Sequence, residues 1–81
     1  MKKVIDATEM LFIRIAEEYP DEYILAKIIE INNETGREIG VAIYTAPTWQ
    51  ELLLYAKKEG LIESTRILTG LNLIPMIGGL I

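Results

Sequence analysis

Between Tyr23 and Thr45 the chain reads YILAKIIEI, then NNETG, then REIGVAIYT. Two runs rich in β-branched residues flank an Asn/Gly turn, which is the pattern of a β-hairpin. Gly36 can take the left-handed conformation that closes such a loop. With Asn33 opposite Arg37, one side of the ribbon carries Ile31 facing Ile39, Ile29 facing Val41 and Lys27 facing Ile43. The other side carries Ile24, Ala26, Ile28, Ala42 and Tyr44, with Glu30 and Glu38 near the turn. Both sides are therefore largely apolar. A ribbon with one wet face alternates cleanly, and this one does not. A slip of one residue only exchanges the two sides. Whatever fold the chain adopts must cover both faces.

The flanking segments supply two helices and a strand. Asp6 and Glu9 form a capping-box pattern, so the spacing predicts a helix from Asp6 to the stop at Pro20. Leu11, Phe12, Ile15, Ala16 and Tyr19 share one side of it, with Ile5 before them; Arg14 and Glu17 lie opposite. Met10 and Ile13 stand off that stripe, which suggests cover on more than one side. After Pro47, Thr48 and Glu51 repeat the capping pattern and open a second helix with Trp49, Leu52, Leu53 and Ala56 on one face. Gly60 followed by Leu61 suits a Schellman end. Leu54 falls on the polar side near Lys58, a candidate contact with another chain. STRILTG then predicts a short strand, Thr65 to Thr69. A right-handed strand–helix–strand connection makes it parallel to the second hairpin strand and places it beside the first. The expectation is an α+β fold: helix, hairpin, helix, strand, with a three-stranded sheet in the order 2-1-3. The 81 residues form one domain, 1–81.

From Leu71 the chain continues LNLIPMIGGLI, with no charge after Arg66. A membrane span needs about 20 consecutive apolar residues; this run is half that and is interrupted by Asn72, Pro75 and Gly78-Gly79. A helix lying on a membrane surface needs a charged face, and the run has none. Leu71, Leu73, Ile74, Met76, Ile77, Leu80 and Ile81 are thus expected to form an apolar arm. It packs either on its own sheet or on a second copy, because each such side chain is worth about 1.5–3 kcal/mol when buried. A domain this small buries only about 60–65% of its unfolded surface. A homodimer or higher oligomer is the expected remedy.

Several function classes lose support. No cysteine is present for a disulfide or thiolate metal site, and no histidine as base or ligand. The net charge is −4 and the eight Lys and Arg are scattered, which argues against nucleic-acid binding. No phosphate-binding glycine motif is found, and Ser64, the sole serine, lacks a nucleophile-elbow context. The N-terminus does not read as a secretory signal, so a cytoplasmic protein is expected. No cofactor is implied. Glu17, Glu18, Asp21 and Glu22 make an acidic cluster: either a docking patch for a basic protein or a solvated helix end without the calcium-loop pattern.

The stretch YPDEYILAKI…REIGVAIYTAPTWQELLLYAKKEG, from Tyr19 to Gly60, resembles a class of small uncharacterised prokaryotic α+β domains. In these a helix ending in Tyr-Pro leads to a strand pair and then to a helix closing on Lys-Lys-x-Gly. The resemblance implies a prokaryotic cytoplasmic origin and no particular chemistry, and it does not extend to the LNLIPMIGGLI end. The reading that follows is a non-enzymatic, self-associating module that binds another protein. The alternatives are a small-ligand or accessory-enzyme domain with a pocket between Trp49, Tyr44 and the sheet, and an acidic antitoxin-like protein that neutralises a cationic partner.

Overall fold

The computed structural model describes residues 1–70. Its elements are β1 (Lys2–Lys3), β2 (Met10–Leu11), α1 (Phe12–Glu18), β3 (Tyr23–Asn32), β4 (Arg37–Ala46), α2 (Trp49–Glu59) and β5 (Thr65–Thr69). The fold is α+β, but the three-stranded sheet of the sequence reading is corrected to five antiparallel-paired strands. The order is β1-β4-β3-β5, and β2 also pairs with β4. The two additional strands are two residues long, too short to show an alternation of period two. Backbone pairing along the outer edge of β4 holds them: Lys2 opposite Thr45, Lys3 opposite Tyr44, Met10 opposite Gly40 and Leu11 opposite Ile39. The amide of Val4 donates to the carbonyl of Ile43 at 2.9 Å.

This N-terminal clasp also corrects the first helix. Residues 6–9 are not helical. Asp6 has φ 61°, a left-handed conformation that turns the chain between β1 and β2. The helix starts at Phe12, where Gly40 makes room for it: a Cβ on Gly40 would lie 2.3 Å from Phe12 Cε1 and 2.4 Å from the Lys27 carbonyl oxygen. Tyr19, before Pro20, leaves helical geometry and ends α1.

The hairpin register differs from the expected one. Asn32, not Asn33, faces Arg37, and Ile31 faces Glu38. Two register shifts follow, between Ile28 and Glu30 and between Leu25 and Ala26, so that Ile29 and Ile43 are the extra residues. Each shift reverses the inside–outside alternation, which a uniform pairing cannot reproduce.

One helix lies on each face of the sheet. Phe12 and Ile15 of α1 pack on Ile24, Ala26 and Ala42. Leu52 and Ala56 of α2 pack on Leu25 and Ala46. At the start of α2 the Thr48 hydroxyl donates to Glu51 Oε2 (3.3 Å) and makes no bond to a helix amide. At its end Gly60 is left-handed (φ 70°); its amide donates to Lys57 O and that of Leu61 to Ala56 O, a Schellman pattern.

Candidate interaction surface

A helix of seven residues is only about 10 Å long, whereas β3 and β4 run for ten residues each, or about 33 Å. Cover by α1 is therefore complete over the middle of the sheet and gives out toward the hairpin loop. There Ile29 is 42% exposed and Ile31 40% exposed. Beside them, Leu11, Phe12, Ile13, Gly36 and Glu38 line a groove between the start of α1 and the loop. Ile31 sits directly across from Glu38 and so flanks that groove. Ile13, 60% exposed, forms its outer lip.

Among the described residues the sheet edge is open at the same end. β5 pairs with β3 from Tyr23 to Lys27, and one further bond runs from the Ile28 amide to the Ser64 carbonyl. Among the described residues, Glu30–Asn32 pair with β4 alone, and Ile29, the bulge residue, is in register with neither neighbour. Open edges carrying apolar side chains are templates for pairing with another chain. Arg66 stands at the margin: its guanidinium donates to Glu38 Oε2 at 2.6 Å and lies 5.3 Å from the centre of the Phe12 ring. The groove is apolar in its walls and charged at one corner.

The residues singled out from the sequence are distributed differently. Leu54 is 66% exposed on the outer side of α2, among Gln50, Lys57 and Lys58, all exposed. Leu71, Leu73, Ile74, Met76, Ile77, Leu80 and Ile81 lie outside the described residues. Glu17 and Glu18 are exposed in the last turn of α1; Asp21 is exposed and Glu22 half-buried in the turn that follows. Among the described residues none of the four is ion-paired, and no three carboxylates converge on a geometry that could hold a metal ion. No helix there is long and apolar enough to cross a membrane.

Tyr44 and Trp49 part company. The Tyr44 ring packs on Tyr55, with centres 4.7 Å apart and planes tilted by 57°, over the Leu25–Leu52 cluster. The Tyr44 hydroxyl beside it, together with burial and the charges of Tyr44 and Glu59, raises the Tyr55 pKa above the ordinary tyrosine value. Trp49 lies 44% exposed at the start of α2. The space between α2 and the sheet is filled by Leu25, Ala46, Leu52 and Ala56. A cavity of about 180 Å³ lies under the Ile5–Thr8 segment, and an open depression of about 320 Å³ lies beside Met10, Arg14, Glu17 and Glu18; neither adjoins Trp49 or Tyr44. The Ser64 hydroxyl donates to the Leu61 carbonyl in a turn.

The hairpin-end surface escaped the sequence reading. Ile13 stood off the helical stripe, which was its one signal. Ile29 and Ile31 read as covered residues because the bulge between Ile28 and Glu30 has no sequence mark. No family model, curated protein or solved structure matches the chain.

Proposed function

We propose a cytoplasmic, non-enzymatic module that associates with a second copy of itself through the loop end of its hairpin. The observation that carries this reading is the coincidence, among the described residues, of a strand edge left open at Ile29–Asn32 with the exposed apolar side chains of Leu11, Ile13, Ile29 and Ile31. Two such edges related by a two-fold axis pair antiparallel, and each apolar groove then meets its own copy.

Ile31→Lys tests it. The lysine stands opposite Glu38 and keeps a favourable cross-strand pair, so the hairpin survives while the patch loses its apolar centre. Burying one isoleucine is worth about 1.5–3 kcal/mol, and the two-fold counts it twice; the dimer dissociation constant rises about 10²–10⁴-fold. Light scattering should give a dimer for the native chain and for Ile31→Val, and a monomer for Ile31→Lys at the same micromolar concentration. A native chain that stays monomeric, or an Ile31→Lys chain that stays dimeric, refutes the proposal.

A second partner is a basic protein surface meeting Glu17, Glu18, Asp21 and Glu22. What favours it is that none of these carboxylates is neutralised by an ion pair among the described residues. Changing all four to Gln or Asn should abolish capture of a cationic protein and leave the dimer intact. Unchanged capture makes the cluster a solvated surface.

A further inference from the structure

A second apolar groove runs along the other flank of α1, between the helix and β5. Phe12, Ile13, Ala16, Ile67, Leu68 and Thr69 line it, around a shallow, open depression of about 320 Å³. None of these side chains is charged. The charge beside the lining is that of the Arg66 guanidinium at Phe12, already paired with Glu38, so a charged peptide entering here would lose hydration without gaining a free counter-charge on the lining.

We propose that the occupant of this groove is the run Leu71–Ile81 of the same chain. Three observations lead there. First, the chain reaches Gly70 at one end of the groove. A Cβ on Gly70 would lie 2.4 Å from the Ala16 carbonyl oxygen and 2.6 Å from that of Tyr19, so the backbone is seated against the end of α1, and its amide donates to Glu22 O at 3.4 Å. Second, the run carries seven large apolar side chains and no charged one, which matches the lining. Third, the length suffices. Three β5 residues define a groove about 10 Å long, whereas eleven residues reach about 36 Å, enough for a reversal and a return over Leu68. Tethering gives the run an effective concentration of order millimolar, above that of any free competitor of equal affinity. Phe12 and Ile13 also line the groove toward the hairpin loop, so the two readings share that lip; Ile31→Lys separates them, because it removes self-association and leaves the β5 flank unchanged.

The cysteine-free sequence makes the test clean. Single thiols are placed in the full chain by Ile13→Cys or by Leu54→Cys. The two positions are 60% and 66% exposed, so in an Ile31→Lys background, which keeps the self-association surface unpaired, their rates of alkylation with an empty groove should agree within about twofold. With the groove filled, the thiol of Ile13→Cys reacts about tenfold more slowly than that of Leu54→Cys. Adding Leu73→Asp and Ile77→Asp restores its rate. Equal rates overturn the proposal. A second measurement pairs Ile13→Cys with a cysteine at Leu73, Ile74, Ile77 or Leu80 and oxidises at micromolar protein. A disulfide within one chain is expected for at least one pair, forming about a hundredfold faster than any between chains. Disulfides that form only between chains overturn the proposal and identify a second copy's arm as the occupant. Disulfides that form equally well when Leu54→Cys replaces Ile13→Cys overturn it too, because the run would then have no preferred seat.

Discussion

Replacing Gly40 by alanine should destabilise the protein by several times more than such a change ordinarily moves it, and in the opposite direction. Glycine in a strand interior usually costs about 0.5–1 kcal/mol relative to alanine, so Gly→Ala normally stabilises. At Gly40 the new methyl would meet two obstacles. Phe12 Cε1 at 2.3 Å is a side-chain atom and can retreat, but Phe12 is itself 6% exposed and packed on Ile24, Ala26 and Ala42. The Lys27 carbonyl oxygen at 2.4 Å belongs to the backbone of the neighbouring strand, so β3 and β4 must part. Overpacking of this kind costs about 1–3 kcal/mol, and each ladder hydrogen bond weakened adds about 1 kcal/mol. A net loss of about 2–4 kcal/mol follows, and at about 4–8 °C per kcal/mol for a domain of this size the melting temperature falls by about 10–30 °C. Thermal melts followed by circular dichroism, with urea midpoints at an unchanged m-value, measure it. Gly36→Ala is the control: nothing lies within 4 Å of its Cβ, and only its φ of 71° opposes the change, at about 1–2 kcal/mol. Adding Phe12→Leu to Gly40→Ala should recover little, because the carbonyl obstacle stays. A Gly40→Ala protein that melts at or above the native temperature refutes the reasoning and with it the seating of α1.

Further outcomes are expected at two other positions. Tyr44→Phe removes the first cause of the raised Tyr55 pKa, so ionisation of Tyr55, followed by ultraviolet absorbance, moves down toward the ordinary tyrosine value. Because that pKa is raised in the folded state, its contribution to stability is complete below the unfolded value near 10 and is lost as the pH climbs through the folded one. The native chain should therefore lose more stability on alkalinisation than Tyr44→Phe does, and an identical pH dependence contradicts the pairing. Asp6→Gly should exceed Asp6→Ala in stability by about 1 kcal/mol, since φ 61° penalises a Cβ; equal melting temperatures mean that the turn between β1 and β2 is not held.

The α+β class was legible because local chemistry marks its larger parts. The Asn/Gly turn and the two β-branched runs located β3 and β4, and Gly60-Leu61 marked the end of α2. What the sequence hid has physical causes. The strands Lys2–Lys3 and Met10–Leu11 are defined by backbone bonds to β4 and carry no period of their own. The apparent capping box at Asp6 and Glu9 lost to that pairing. It placed the helix start at Phe12, where a missing side chain on Gly40, 28 residues later, leaves room for a ring. The bulges at Ile29 and Ile43 redirect side chains between faces. Part of the candidate surface could be glimpsed in Ile13, off its helical stripe. The rest arises because α1 is too short for the strands beneath it, a mismatch of lengths that shows only when both elements have been placed.

The claim on which the account rests is that this uncovered hairpin end is where two copies meet. Amide chemical shifts recorded by nuclear magnetic resonance across a dilution series test it residue by residue. The account predicts concentration-dependent shifts confined to Leu11, Ile13 and Ile29–Asn32, with Leu54 and the outer side of α2 silent. Shifts centred on α2, or a spectrum that does not change with concentration, would contradict it.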